Sequence, residues 1–140
     1  MDSNTSNSPK VSYTGGVRGK DGKIQRFDNP TEAYNSLYTD IHAKLNGGSS
    51  WVKPTTTLET YISKFAPKED NNDPVSYTQS MIKRFNSMLE NNGSNIRITK
   101  NDSLSYIKDA LIAAKIDPDH AFTKAHLQTE DPKVLKNLSI

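Results

Sequence analysis

The densest run of acidic side chains lies at residues 68–73, which read Lys-Glu-Asp-Asn-Asn-Asp. Glycoside hydrolysis needs a protonated carboxyl group near a second carboxylate, and a calcium loop needs alternating oxygen donors and a turn glycine. The run lacks both the alternation and the glycine, and because it is wholly polar we expect it in an exposed loop. A carboxyl group in water has no reason for a raised pKa. The run therefore predicts a solvated loop.

Several aromatic residues could together form a groove on which a sugar ring stacks. They are Trp51, Tyr61, Phe65, Tyr77 and Tyr106. Aromatic residues at helical spacing are more typical of a hydrophobic core, and this interpretation applies to Tyr61, Phe65 and Tyr77. Trp51 falls in a loop segment, so it is the aromatic residue that we expect to make a surface contact.

Other common chemistries have no support in the sequence. The chain contains no cysteine, which excludes thiol catalysis, disulfides and thiolate-bound metals. The three histidines, His42, His120 and His126, lack zinc-site spacing, and no phosphate-binding loop, dinucleotide fingerprint or serine-hydrolase elbow is present. The sequence predicts no metal and no cofactor.

Length and composition indicate one modest domain. The chain has 140 residues, 33% of them hydrophobic. Its 18 Lys and Arg residues against 16 Asp and Glu residues give a net charge of only +2, which argues against a nucleic-acid partner because such proteins are usually far more basic. No apolar run is long enough to span a membrane, and the first residues do not resemble a signal peptide. We therefore expect a soluble protein.

The pattern of apolar residues predicts a mainly α fold in two parts. Residues 1–22 have few apolar side chains and four glycines, so they are predicted to form a flexible arm. Residues 23–140 are predicted to form a single helical domain. Ile24 and Phe27 lie in an alternating polar–apolar segment, which predicts a short strand over residues 24–27.

Capping residues and prolines predict where the helices begin. We expect helix starts at Asn29-Pro30, at Thr56 with Glu59, at Asp73-Pro74, at Asp102 or Ser103, and at Asp131-Pro132. The segment Asp117-Pro118-Asp119 is expected to break the fourth helix, and residues 121–127 are short and ambiguous. The expectation is four or five helices with little strand.

Three segments of the sequence resemble a family of phage and prophage virion structural proteins. They are Arg-Phe-Asp-Asn-Pro-Thr-Glu-Ala at 26–33, Thr-Leu-Glu-Thr-Tyr-Ile-Ser-Lys-Phe-Ala-Pro-Lys-Glu-Asp-Asn at 57–71, and Ile-Asp-Pro-Asp at 116–119 with Asp-Pro-Lys-Val-Leu at 131–135. That family is similar in turn to lysozyme-like glucosaminidases. The resemblance implies a small helical, lysozyme-like domain. It places Phe65 where the glucosaminidases keep an active-site tyrosine, and Tyr77 near their second tyrosine.

The resemblance implies a structural component of the virion, built on a degenerate, non-catalytic domain that binds other virion subunits through its arm and helices. An alternative is a virion-associated peptidoglycan hydrolase or a peptidoglycan-binding module. The glucosaminidases carry their acid upstream of this region, where this chain has only Asp2 and Asp21, and Phe65 lacks a hydroxyl group. Glu32 and Glu69 remain as candidate acids. The candidate glycan or partner contacts are Trp51, Tyr61, Phe65, Asn71 and Tyr77.

Overall fold

The computed structural model describes residues 11–66 and 72–138, and it is mainly helical, as predicted. The described residues contain six α-helices: α1 (Pro30–Leu45), α2 (Leu58–Phe65), α3 (Pro74–Asn91), α4 (Leu104–Ala113), α5 (Pro118–Glu130) and α6 (Pro132–Asn137). In these parts of the chain, no helix combines the length and apolar character needed to cross a lipid bilayer.

Side-chain caps start the helices close to the predicted positions. The Asn29 and Asp73 side chains accept hydrogen bonds from backbone N–H groups at the starts of α1 and α3. Ser103 caps α4. The cap of α2 is Thr57, one residue later than predicted, because Thr56 instead accepts from the Lys53 N–H. These caps satisfy N–H groups that have no partner inside the helix.

The centre of the domain is α5, which the sequence analysis failed to predict. Pro118 occupies the first turn and Asp117 caps it through the Asp119 N–H, so this segment begins a helix instead of only breaking one. The helix contacts α1, α3, α4 and α6. It is buried on most sides, so its sequence lacks a one-sided apolar stripe.

Residues 11–27 form an irregular hairpin that packs on the helices. Tyr13 is buried and pairs with Phe27 through two backbone hydrogen bonds of 2.8 Å, and Arg18 forms a bridge with Ile24. The Thr14 N–H donates to the Asp131 carboxylate. Residues 11–22, which the sequence analysis placed in the arm, pack on the helices through these contacts, and residues 24–27 form isolated bridges. Residues 1–10 lie outside the described part.

The first residues of α2 and α4 are joined by a short antiparallel bridge. Thr57 pairs with Ser103, the Leu58 N–H donates to the Asp102 carbonyl, and the Leu104 N–H donates to the Thr56 carbonyl. Since N-terminal N–H groups lack partners within their own helix, each helix start satisfies donors of the other. This bridge fixes where α2 presents Tyr61 and Phe65.

Candidate functional site

A groove of about 290 Å³ lies between the N-terminal hairpin, α1 and the end of α2, and we call it the Trp51 groove. Gly16 and its two following residues form one wall, and α1 and α2 contribute charged side chains. Its lining residues are Gly16, Val17, Arg18, Asp40, Lys44, Trp51, Lys64 and Phe65. The groove therefore combines aromatic surface with three cationic side chains and one carboxylate.

The lysines of the groove lie beside its aromatic rings. The Lys44 ammonium is 5.9 Å from the centre of the Trp51 ring and 5.4 Å from that of Phe65. The Lys64 ammonium is also 5.9 Å from the Trp51 ring. Lys44 and Asp40, one turn apart on α1, form an ion pair of 2.5 Å. Such a surface can stack against a sugar ring and attract an anion at the same time.

Aromatic packing connects the groove to the interior. Trp51 stacks on Tyr61 with 5.9 Å between ring centres, and the rings of Phe65 and His126 are 4.2 Å apart. Tyr61 is fully buried and Trp51 and Phe65 are half-buried. The exposed faces of the groove therefore rest on a rigid aromatic layer.

Below this layer, four side chains form a continuous hydrogen-bonded chain. The Tyr61 hydroxyl is 2.8 Å from Nε2 of His126, and the Tyr77 hydroxyl is 2.7 Å from Nδ1 of the same ring. Tyr77 also donates to Oε2 of Glu130 at 2.5 Å. His126 and Tyr61 are fully buried, and Tyr77 is 2% exposed. We call these residues the His126 chain.

When Glu130 is ionised, the number of available protons fixes the donor and the acceptor in each hydrogen bond of the His126 chain. Because the single Tyr77 proton is donated to Glu130, Tyr77 must accept a proton from Nδ1 of His126. A neutral imidazole then leaves Nε2 as an acceptor, and Tyr61 donates to it. Every hydrogen bond therefore points toward the Glu130 carboxylate.

Burial sets the protonation states of these groups. Burial, assisted by the nearby Lys44, lowers the pKa of His126 to about 3, so the ring is neutral at pH 7. Burial raises the pKa of Glu130 above its usual value, and the hydrogen bond from Tyr77 opposes this shift. The pKa values of Tyr61 and Tyr77 are raised well above the usual value, also by burial.

The structure separates the residues that the sequence proposed as contacts. Trp51 and Phe65 share the Trp51 groove. Tyr61 and Tyr77 are buried inside the domain, as expected of core residues. Glu69 and Asn71 lie outside the described residues.

The candidate acid Glu32 is exposed in the first turn of α1 and does not line the groove. Glu130 is a partly buried carboxyl group with a raised pKa, and the sequence analysis missed it along with His126. Their spacing of four residues on one helix was the available signal, but it could be used only once residues 118–130 were known to be helical.

A second row of polar contacts joins α1 to the start of α5. Tyr34 hydrogen-bonds Nδ1 of His120, Tyr38 donates to Asp117 at 3.3 Å, and His42 pairs with Asp119 at 2.6 Å. In residues 11–66 and 72–138, no group of three or more His, Asp and Glu side chains is arranged so that it could hold a metal ion. This row therefore acts as a polar seam between two helices.

No protein-family model, curated protein or solved structure matches the chain.

Proposed function

We propose that the chain is a structural component of a phage virion, built on a lysozyme-like helical domain, that binds a glycan strand of peptidoglycan in the Trp51 groove without cleaving it. In this proposal, the N-terminal residues and the outer faces of the helices contact other virion subunits. The virion assignment rests on the sequence resemblance at residues 26–33, 57–71, 116–119 and 131–135. The glycan assignment rests on the composition of the groove.

The observation that carries the glycan assignment is the position of Lys44 and Lys64 beside Trp51 and Phe65. A sugar ring can pack on the exposed aromatic surface, as apolar C–H faces do on aromatic rings. The carboxylates of the stem peptides of a peptidoglycan strand supply anions for the neighbouring lysines. The groove therefore offers partners to both the sugar and the acidic parts of such a strand.

A non-catalytic role is supported by the carboxylates of the groove. Glycosidases generally place two carboxyl groups on either side of the bond that they cleave. Among the described residues, Asp40 is the one carboxylate that lines the groove, and it is paired with Lys44 at 2.5 Å. One carboxylate held in an ion pair does not supply the two carboxyl groups that glycosidases use.

Co-sedimentation with purified peptidoglycan sacculi tests the glycan assignment. Trp51→Ala and Lys64→Gln should each weaken binding roughly tenfold, since each removes about 1–2 kcal/mol of stacking or charge pairing. Tyr106→Ala and Lys136→Gln remove matched exposed side chains that do not line the groove and should bind as the parent does. Equal binding by all variants, or none by the parent, would refute the assignment. Mass spectrometry of purified particles tests the virion assignment separately.

One observation favours peptidoglycan hydrolysis as a second candidate function. Glu130 has a raised pKa, which is the property required of a general acid at neutral pH. Its carboxylate is next to Gly16, which lines the groove, since a Cβ atom added at Gly16 would lie 2.4 Å from Oε1 of Glu130. Clearing of a peptidoglycan suspension by the parent, abolished by Glu130→Gln but retained by Glu32→Gln and Glu69→Gln, would establish this function. No clearing by the parent would leave the binding role.

A further inference from the structure

A cleft of about 390 Å³ lies where α3, α5 and α6 meet, and we call it the basic cleft. It shares no lining residue with the Trp51 groove. Its lining residues are Arg84, His120, Lys124, Leu135 and Leu138. Three basic side chains therefore face an apolar wall, and no carboxylate of the described residues lines the space.

The two permanent cations of the basic cleft have no anionic partner among the described residues. Arg84 donates to the amide oxygen of Gln128 at 3.4 Å, a long contact. Across residues 11–66 and 72–138, no carboxylate lies within 4.0 Å of Arg84 or Lys124. Both side chains are only half-exposed. Partial burial removes some of their hydration without supplying a counter-charge, so an anion entering the cleft is favoured.

His120 adds a third donor to the same space. Its Nδ1 is hydrogen-bonded to the Tyr34 hydroxyl, and the pKa of Tyr34 is raised, so that phenol keeps its proton. In the tautomer in which Tyr34 donates to Nδ1, the neutral ring carries its own proton on Nε2.

The charges around His120 match an anion site. Burial lowers the pKa of His120, the neighbouring Lys124 lowers it further, and Asp117 opposes the shift. Asp117 is already engaged, because it accepts from Tyr38 and from the Asp119 N–H. Positive charge thus dominates the field at the imidazole.

We propose that the basic cleft binds a phosphate group, held by Arg84, Lys124 and His120, with the apolar part of the ligand against Leu135 and Leu138. A guanidinium group binds two phosphate oxygens through parallel hydrogen bonds, and an ammonium group adds a point charge. The leucines favour a phosphate ester over the bare ion. This inference is independent of the function proposed for the Trp51 groove.

Titration with inorganic phosphate, followed by NMR of the His120 ring, tests the proposal. Phosphate should bind saturably and raise the pKa of His120, whereas chloride at equal ionic strength should not. Arg84→Gln and Lys124→Gln should each weaken binding about tenfold, since each removes a charge-assisted hydrogen bond. Arg84→Lys keeps the positive charge, so its affinity for phosphate should lie between those of the parent and of Arg84→Gln. Lys83→Gln, an exposed neighbour on α3, should bind as the parent does.

The source of the phosphate is distinguished by two further ligands. Glycerol phosphate binding more tightly than inorganic phosphate, with no binding to phosphatidylglycerol vesicles, would identify a soluble ester. Binding to phosphatidylglycerol but not phosphatidylcholine vesicles, lost in Arg84→Gln, would identify a lipid headgroup. Absence of saturable binding to every phosphate ligand, equal shifts with chloride, or equal binding by Arg84→Gln and Lys83→Gln in a folded sample would overturn the proposal.

Discussion

The hydroxyl group of Tyr77 donates to Glu130 at 2.5 Å, across 53 positions of the chain. This bond joins the first turns of α3 to the last residue of α5. The same hydroxyl group is 2.7 Å from His126, so one phenol connects a buried imidazole to a carboxyl group next to the groove wall. A change at any of these three residues should therefore alter the protonation of the other two.

Tyr77→Phe should raise the pKa of Glu130 further. The hydrogen bond from Tyr77 stabilises the ionised carboxylate, and burial continues to oppose ionisation when that bond is lost. The free energy of unfolding should also fall by about 1–3 kcal/mol, because buried polar groups lose a partner. Carbon NMR titration of the Glu130 carboxyl group measures the first effect. Tyr106→Phe is the matched exposed control, and an unchanged or lower Glu130 pKa in Tyr77→Phe would contradict the prediction.

At a pH where Glu130 is ionised, His126 should carry its proton on Nδ1. This form follows from Tyr77 donating to Glu130 and from the neutral state of the ring. Nitrogen NMR of the imidazole should therefore show a protonated Nδ1 and an unprotonated Nε2. A proton on Nε2, or a doubly protonated ring at pH 7, would show that the hydrogen bonds of the His126 chain do not all point toward Glu130.

His126 should make the protein less stable as the pH falls below 6.5. Its pKa is about 3 in the folded protein and 6.5 for a histidine in water, so the unfolded chain binds the proton more readily. The stability contribution is present above pH 6.5 and is lost as the pH falls toward 3, by up to about 1.4 kcal/mol per pH unit.

Glu130 changes the stability with pH in the opposite direction to His126. Its raised pKa means that the folded state binds the proton more readily, which favours the folded state at low pH. Urea unfolding of the parent and of His126→Gln across this range isolates the histidine. The parent should lose more stability than the variant on acidification, and parallel pH profiles would exclude the effect.

Gly16→Ala should destabilise the domain more than Gly22→Ala. Both glycines have positive φ angles, 81° and 80°, so an alanine at either position costs about 1–2 kcal/mol of backbone strain. A Cβ atom at Gly22 meets no atom within 4 Å, whereas one at Gly16 would lie 2.4 Å from Oε1 of Glu130. Glu130 would then have to turn away from Tyr77. Thermal unfolding compares the two variants. Equal losses of stability would show that the Glu130 side chain can move away from position 16 without a free-energy penalty.

Phe122→Ala should cost about 3–5 kcal/mol of stability. Phe122 is fully buried on α5, and its ring lies 4.8 Å from that of Phe85 on α3. Ile112→Ala removes a 53% exposed side chain and should change stability by about 0.5 kcal/mol or less. Denaturant unfolding of both variants tests whether α5 is the centre of the core. Similar small losses in both would contradict that placement.

Helix starts could be predicted because the signals are local. Asn29, Asp73 and Ser103 cap the helices for which they were candidates, and each acts through N–H groups two or three residues away. The same logic would have found α5 at Asp117-Pro118. It was missed because alanines and polar residues alternate there without a stripe, a pattern that indicates a helix buried on most sides.

The interior of the site could not be predicted, because it depends on contacts between distant segments. Tyr61 and Tyr77 meet His126 from positions 65 and 49 residues away. The packing of residues 11–22 could not be predicted for a related reason. Their glycines and low apolar content are typical of a flexible segment. Tyr13, however, is buried, and its hydroxyl group accepts a hydrogen bond from Asn137, which is 124 positions away.

The central position of α5 has a consequence for synthesis of the chain. The helices α1, α3 and α4 all precede it, and each packs against it. While the ribosome adds residues 30–117, the apolar faces of these helices lack the surface that later covers them. Completion of the core therefore waits for translation to pass Glu130, and the nascent chain is most open to chaperones and aggregation during that interval.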